Sequence, residues 1–469
     1  MNASFVKAIS EMLGKSPKKG GQKNDKGSPL SADELLMRRQ SLSAVDELEV
    51  QQSSKLKNRE TKEDSKSRFS SALSKQLNKR LKIAVLHRNF DPTAGGAEHY
   101  AVAMVESLAH IHDFHIFSQH FNHDWPELTY HQVPQFFVRP RWLNQLIFAA
   151  YCAKATKRGF DVIHSHENTW SGDVQTVHVM PITHNLFAGK GRLQKLVQWI
   201  KVILSPRLLT YVALEKLRFK NQPGRWFVAV SSNLKRLLEY SMGCASSALI
   251  TIAPGVNVGE ELNHGERAVK RMHAKEQMGL PESRPCVLWV GHDAQKKGLD
   301  TALKAFTLLP ADYVLVIAGA AKPREFWAQH LTEKMSARVI EKGVINAENL
   351  QTLYCACDLL IHPTREDTFG MVVLEAMANA LPVIVSGPQY CGISSELIDG
   401  QNALILSDPD DATELAGKVV LAMQGHMRES LSKQGQAWAK TQDWGKMAEL
   451  QNTVYTHIAY DLSIKKSNS

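Results

Sequence analysis

The run His362-Pro-Thr-Arg-Glu366-Asp367-Thr-Phe-Gly370-Met-Val-Val-Leu-Glu375-Ala-Met-Ala-Asn-Ala-Leu-Pro382 decides how this chain is read. An apolar stretch, Leu359–Pro363, leads into it and another, Leu381–Ser386, follows it. Both have the composition of buried strands, and the segment from about Gly370 has that of an apolar helix. Strand, loop, helix and strand at this spacing make one unit of a parallel sheet. Glu375 lies in the first half of the helix, among Val372, Val373, Leu374, Ala376 and Met377. A carboxylate is seldom buried without a partner. At a cleft it is placed to accept hydrogen bonds from sugar hydroxyls. Asp367 precedes Glu375 by eight residues, so the two can hold opposite ends of one elongated ligand. The plainer alternative is a helix-capping aspartate and a partly exposed glutamate.

Similar strands recur on both sides. Leu81–His87, Asp113–Ser118, Asp161–His166, Val174–Met180 and Phe227–Ser232 form one series. Ala248–Gly255, Cys286–Gly291, Tyr313–Gly319, Arg338–Gly343, Leu359–Pro363 and Leu381–Ser386 form a second. Helical segments intervene in both. Alternating apolar strands and helices predict an α/β protein with parallel sheets covered on both faces, here two doubly wound domains. Such sheets bind ligands beyond the carboxyl ends of their strands, so the expected site is the cleft between the domains.

Two further loops join strand to helix. Asp91-Pro-Thr-Ala-Gly95-Gly96-Ala-Glu98 allows a tight turn and close backbone approach, with a helix N-terminus behind it to attract a phosphate or a sugar oxygen. It is neither a G-x-G-x-x-G nor a P-loop, so nicotinamide chemistry and ATP hydrolysis do not follow from it. In Val290-Gly291-His-Asp-Ala-Gln-Lys296-Lys297-Gly298, adjacent lysines ahead of a helix can neutralise a diphosphate. Three other groups carry less. His164 and His166 share one side of a strand but have no declared third metal ligand. Asp408-Pro-Asp410-Asp411 has the D-x-D spacing of some manganese sites, yet it opens a helix, where acids serve as caps. No serine-centred nucleophile elbow occurs, which leaves a hydrolase triad unsupported.

Charge narrows the partners. The 469 residues carry a formal charge of +9, but residues 1–80 account for +7 and residues 181–225 for +8, leaving −6 elsewhere. A basic face over the folded body, as duplex nucleic acid requires, is not expected. Within 181–225, the segment 193–204 is amphipathic and basic. Its Trp199 and the charges Lys190, Arg192, Lys195, Lys201 and Arg207 suit an anionic membrane interface. A core-facing helix with a basic outer side would show the same pattern. No apolar run reaches the ~18 residues that span a bilayer, and the first residues lack the continuous apolar stretch of a signal peptide. Residues 1–79 contain no Trp or Tyr and only two Phe, and they are expected to be a disordered tail, with a short helix near Ala32–Gln40 conceivable. The scattered cysteines, Cys152, Cys244, Cys286, Cys355, Cys357 and Cys391, have no zinc spacing and read as reduced thiols.

Taken in order, Gly95-Gly96-Ala-Glu98, Thr176-Val-His178, Ala229-Val-Ser231-Ser232, Ala253-Pro-Gly255-Val-Asn257, Val290-Gly291 through Lys296-Lys297-Gly298, Ile317-Ala-Gly319, and Glu366 through Glu375-Ala-Met-Ala, then Leu381-Pro-Val, resemble the family 4 retaining glycosyltransferases of the GT-B fold, over about residues 81–460. Within that family, the loop 291–298 and Thr441-Gln-Asp443-Trp444 look most like enzymes that glucosylate the inner-core heptose of lipopolysaccharide.

The resemblance implies an acceptor-binding domain at 80–250, a nucleotide-sugar domain at 251–441 and a C-terminal helix, about 442–463, returning to the first domain. It implies that Lys296 and Lys297 hold the donor diphosphate and that Gly95 and Gly96 approach it from the other side, with Gly291 in the same loop region. Glu375 would bind the ribose. Asp367 and the backbone of Thr368, Phe369 and Gly370 would bind the transferred sugar, with His178 beside the reacting centre. Asp367 stands where the family usually has Glu, and two lysines stand where Arg-Lys is common. The implied reaction moves a hexose, glucose foremost, from a UDP-sugar to a lipid-linked or lipopolysaccharide glycan at the cytoplasmic membrane face, with no metal or other cofactor. A GDP-mannose enzyme, a phosphorylase or epimerase on the same fold, and an inactive membrane-associated binding protein are the competing readings.

Overall fold

The computed structural model describes residues 79–257, 264–319 and 333–467. The expected N-terminal tail and its short helix lie almost wholly outside the described residues. The first sheet takes seven strands from β1 (Lys82–Leu86), β2 (Asn89–Phe90), β3 (Asp113–Ser118), β4 (His120–Phe121), β5 (Thr129–Gln132), β6 (Val162–Ser165), β7 (Val174–Val177), β8 (Trp226–Ala229) and β9 (Leu249–Thr251). Its order is β5-β3-β1-β6-β7-β8-β9, parallel throughout, while β2 and β4 pair separately. The second sheet contains β10 (Cys286–Gly291), β11 (Val314–Gly319), β12 (Val339–Gly343), β13 (Leu359–His362), β14 (Val383–Ser386) and β15 (Leu404–Leu406) in the order β12-β11-β10-β13-β14-β15, again parallel. Strands such as Leu-Leu-Ile-His and Val-Ile-Val-Ser are buried along their whole length. This is why they read as unbroken apolar runs and not as alternations.

The order of each sheet reverses at its first strand: β1 lies between β3 and β6, and β10 between β11 and β13. In such sheets the loops beyond the reversal diverge and leave a crevice. The glycine loop at Gly95 follows β1 and β2. The Lys296–Lys297 loop and the Asp367 loop follow β10 and β13, which are neighbours in space although about 70 residues apart in sequence.

Three details depart from the sequence reading. Leu249–Thr251, expected to open the second series, is the edge strand of the first sheet, in register with Phe227–Ala229. The strand expected to reach Ser232 stops at Ala229, because the Ser231 hydroxyl accepts the Leu234 N–H and caps the helix Ser232–Met242. Strands β2, β4, β5 and β15 were not anticipated. Thr-Tyr-His-Gln has no apolar pattern, and Leu-Ile-Leu is too short to stand out.

The chain crosses between domains twice, side by side. Val256 N–H donates to Gln442 O at 2.8 Å. A Cβ on Gly255 would lie 2.7 Å from Trp444, so nothing larger than glycine fits there. The helix Trp444–Ser467 then lies on the first domain. Trp444 packs on Tyr100 and His99. Tyr455 Oη sits 2.6 Å from His164 Nδ1, and Asn452 2.7 Å from His112. In the second domain, buried Asp358 accepts the Cys286 N–H at 2.9 Å and pairs with Arg271, Lys275 and Arg428. It thereby ties the helices His264–Gln277 and Gly425–Ala439 to the sheet. All six cysteines are free and five are buried.

Candidate active site

The loops after β10 and β13 are stitched into one rim. Arg365 N–H and Thr364 Oγ1 both donate to Lys296 O, at 2.8 and 3.1 Å, and the indole N–H of Trp289 donates to Lys297 O at 3.0 Å. Arg365 spans Asp300, at 2.8–2.9 Å through two nitrogens, and Asp410 at 2.7 Å. Gly298 is indispensable to this geometry. Its φ is +66°, and a Cβ there would stand 1.9 Å from the Pro363 carbonyl oxygen.

Lysine and acid side chains pair across this rim. Lys297 Nζ lies 2.5 Å from Asp367 Oδ2, and Lys296 Nζ 3.1 Å from Glu366 Oε2. The second pair is about half exposed, the first much less so. His362, at the end of β13, donates from Nε2 to the same Asp367 oxygen at 3.0 Å. Burial alone would raise the Asp367 carboxyl, but the His362 hydrogen bond and the Lys297 charge hold it well below the usual carboxylate range. Burial lowers the His362 imidazole despite that neighbour, so it is the neutral donor of the pair. Its Nδ1 is buried without a partner. Asp367 is fixed in the backbone too. Its N–H donates to Tyr390 O at 2.8 Å and its carbonyl accepts from Gly392 at 3.0 Å.

Glu375 lies on the next helix, Met371–Ala378, and Tyr354 Oη donates to its Oε2 at 2.8 Å. Burial pushes the carboxyl up to about 7, against the tyrosine hydrogen bond, which favours the ionised form. Phe369 and Gly370 differ from a simple ligand contact. The Phe369 side chain is buried in the core, and its N–H caps Asp367 Oδ1 at 3.3 Å. Gly370 is buried at φ +106°, with Cys391 Sγ where a Cβ would go. Only backbone in this stretch can face the cleft, beside half-buried Thr368. A Cβ on Gly291 would meet the Lys297 side chain at 3.0 Å, so that glycine makes room for the lysine.

The first domain closes the cleft. A Cβ on Gly96 would lie 3.4 Å from Met371, so the glycine loop meets the helix that carries Glu375. Gly95 precedes the helix Gly96–Leu108, whose first turn has no side-chain cap. Ser232 Oγ donates to Glu396 at 2.8 Å across the same boundary. His178, after β7, contacts Tyr100 of the glycine-loop helix at 5.0 Å between ring centres. Its Nε2 lies 2.9 Å from His166 Nδ1, and burial depresses both imidazoles well below their ordinary value. His178 therefore stays neutral near pH 7 and can exchange hydrogen bonds but supplies no charge.

The remaining candidates sort differently. His164 is committed to Tyr455 and Thr176. Asp411 caps the helix Ala412–Ala422, and Asp410 holds Arg365, so the acids around Asp408 are structural. Among the described residues one trio, His362, Asp367 and Cys391, has metal-like spacing. Asp367 Oδ2 in this trio is already paired with the Lys297 ammonium. Lys190, Arg192, Lys195, Trp199, Lys201 and Arg207 belong to a separate surface. In the helix Arg192–Leu204 only Val202 is buried, and Leu193, Leu196, Val197, Ile200, Ile203 and Leu204 face outward. Arg218 and Arg225, counted in the basic stretch, are instead buried and bonded to backbone carbonyls. No helix among the described residues is long and apolar enough to cross a membrane.

Sequence reading missed His362 and Tyr354 as partners of the two carboxylates. His362 carried a weak signal, standing at the strand end five residues before Asp367. Tyr354 carried none, since only the fold brings its helix beside Glu375.

Comparison with known proteins bears on this cleft. Residues 94–260 match the family model for glycosyltransferase family 4, and residues 270–438 that for glycosyl transferases group 1. The lipopolysaccharide glucosyltransferase WaaG of Escherichia coli K12 is 28% identical over 180 residues, 37% of this chain and 47% of that protein. The match thus spans about half of that relative's length. An uncharacterized glycosyltransferase of Methanocaldococcus jannaschii is 24% identical over 385 residues, 78% of this chain and 96% of that one. Among solved structures, WaaG, described as a glycosyltransferase involved in lipopolysaccharide biosynthesis, aligns with a TM-score of 0.67 at 21% identity, over 80% of this chain and 99% of that one. HepE of Anabaena, solved with UDP-glucose, aligns with a TM-score of 0.59 at 16% identity, over 82% of this chain and all of that one. The structural likenesses show the GT-B fold. The two family models fall one on each sheet domain, and between them they cover most of the described chain. The chain belongs to the glycosyltransferases, with a family 4 domain facing a group 1 domain across the cleft.

Proposed function

We propose that this glycosyltransferase moves a hexose, glucose foremost, from a UDP-sugar to a sugar hydroxyl of a lipid-linked or lipopolysaccharide acceptor, with retention at the anomeric carbon. The observation that supports the reading is the rim on which Lys296 and Lys297 pair with Glu366 and Asp367, followed by the helix that carries Glu375 and meets Gly96 at Met371. In this reading the donor lies mainly on the second domain, with its ribose on Glu375, its diphosphate on the lysines and its sugar at Asp367. The acceptor comes from the first domain, near His178. As the glycosidic bond breaks, negative charge grows on the leaving phosphate, and the two ammonium groups stabilise it without a metal. The Asp367 carboxylate, held by Lys297, His362 and the Phe369 N–H, is read as a sugar-binding group and not as a covalent nucleophile. The acceptor attacks from the leaving-group side and its proton passes to the departing phosphate. Closure of the cleft excludes water and limits hydrolysis.

The exposed apolar and basic face of the helix Arg192–Leu204 supports work at the inner face of the cytoplasmic membrane as a peripheral protein of cell-envelope synthesis. Measuring thermal stability with UDP, GDP, ADP and their sugars, without metal and then with Mn²⁺, tests the donor. A metal-independent rise with UDP-sugars that is lost in Glu375→Ala is expected. A rise with GDP-mannose alone makes the protein a mannosyltransferase. No rise with any nucleotide overturns the site and leaves the binding-protein reading.

Donor affinity should also follow the Glu375 carboxyl. Ribose hydroxyls donate to its ionised form, and that form is lost as pH falls through about 7. Affinity for a nucleotide-sugar, whose diphosphate stays ionised over this range, should drop about tenfold between about pH 8 and pH 6. Titration calorimetry should show the dependence in the wild type and none in Glu375→Gln. In Tyr354→Phe the midpoint should move upward, because the hydrogen bond that favours ionisation is gone.

A further inference from the structure

A second apolar projection stands on the first domain, on a different segment from the helix Arg192–Leu204. Phe136, Phe137 and Val138 are 69, 44 and 76% exposed, consecutive, and followed by exposed Arg139 and Arg141. Three bulky apolar side chains in a row are an unusual surface for a water-facing loop.

The base beneath them is rigid. Buried Gln119 and Asn144 exchange a reciprocal pair of amide hydrogen bonds at 2.8 and 2.9 Å, and Gln119 also donates to Pro134 O at 3.3 Å. Val133, fully buried, donates its N–H to Ser118 O at 2.7 Å. The exposure therefore belongs to a supported loop and does not come from a frayed one.

The loop follows the carboxyl end of β5, and the helix Arg192–Leu204 follows that of β7, so both leave the same end of one parallel sheet. A hydrogen-bonded chain connects their supports. Gln145, in the first turn of the helix Arg141–Ala155, donates to Asn168 O at 3.0 Å. Asn168 donates to Tyr211 O at 3.4 Å, on the helix Pro206–Arg218 that directly follows Arg192–Leu204. The elements next to the two apolar projections are thus linked, and each projection is flanked by exposed arginine or lysine.

We infer that Phe136–Val138, with Arg139 and Arg141, is a second membrane anchor that inserts into an anionic bilayer beside the helix Arg192–Leu204 and sets the orientation of the cleft. The occupant is a lipid surface because the apolar tip is bordered by cations and carries no acid, which is the pattern that anionic headgroups attract. This rests on the membrane reading of the helix. Two attachments add their binding energies, and a helix lying in the interface together with a loop beside it restricts rolling about the helix axis more than the helix alone.

The test is sedimentation of the full chain with vesicles of phosphatidylcholine and phosphatidylglycerol, beside vesicles of phosphatidylcholine alone. Phe136→Ser with Val138→Ser should lower partition to the anionic vesicles by about tenfold, and Arg139→Gln with Arg141→Gln by a smaller factor that vanishes at high salt. UDP-sugar binding and thermal midpoint should match the wild type in both. Leu196→Ser with Ile200→Ser is the separate probe of the helix. Wild-type partition in the loop variants alongside a loss in the helix variant overturns the second anchor and keeps the helix. Wild-type partition in every variant, or no partition at all, overturns both. A wild-type dimer that the loop substitutions dissociate, with partition unchanged, overturns the anchor in favour of contact between copies of this chain.

Discussion

Replacing Lys297 by alanine is expected to lower kcat/KM for sugar transfer by about 10³. Two losses combine. The first is the ammonium beside the leaving diphosphate, where charge develops as the bond breaks. The second falls on Asp367, whose Oδ2 lies 2.5 Å from Lys297 Nζ. Without the lysine that carboxylate keeps His362 and the Phe369 N–H but loses the ammonium that neutralises it, so burial opposes its ionised form with less compensation and its position is less firmly held. Lys296→Ala should cost much less, about tenfold, because its pairing with Glu366 is half exposed and screened by solvent. Lys297→Arg keeps the charge and should recover most of the loss. Steady-state kinetics on the three variants, with donor affinity measured separately, divides binding from chemistry. Equal effects of Lys296→Ala and Lys297→Ala would mean that the Asp367 contact does not matter to the reaction. An unchanged rate in Lys297→Ala would place the leaving phosphate elsewhere.

The same pair of residues shows how far the sequence reaches. Lys297 and Asp367 could each be read as ligand-facing from a strand-to-helix loop. Their mutual contact could not, because it depends on β10 and β13 being neighbours, which is a matter of sheet order and not of chain order. Strand positions were legible where apolar residues were concentrated in a short stretch. Cys286–Gly291 and Asp113–Ser118 fall where composition places them. Edge strands were harder, since pairing on one side only tolerates polar sequence such as Thr129–Gln132. The helix Arg192–Leu204 marks a different limit. Helical periodicity identifies an apolar stripe but not what faces it, and both a core and a membrane fit the pattern. The structure leaves that stripe facing outward, with Val202 alone buried.

The largest loss of stability is expected from Asp358→Ala, about 3 kcal/mol from the second domain. Asp358 is 2% exposed, and its two oxygens serve one backbone N–H and three cations. Alanine strands the Cys286 N–H at the start of β10, where no water reaches it, and leaves the cations facing each other without their anion. The figure lies at the low end for a broken buried ion pair because the partners differ. Arg271 and Arg428 retain partial exposure and can turn to solvent. Lys275 is nearly buried, yet it donates to the carbonyls of Pro281, Glu282 and Arg284 at 3.0–3.2 Å and keeps those bonds. Asp358→Asn preserves a hydrogen-bond acceptor for Cys286 but removes the charge and turns an amide NH2 toward the arginines, so it should cost about 1–2 kcal/mol. Because the chain has two domains, a single unfolding midpoint would blur the effect. Hydrogen exchange of the β10 and β13 amides reports it locally. Protection there should fall in the order wild type, Asp358→Asn, Asp358→Ala, while β1 and β6 of the first domain keep theirs. Equal protection in all three proteins would mean that the helices His264–Gln277 and Gly425–Ala439 are held by apolar packing alone. The network would then contribute registry and not stability.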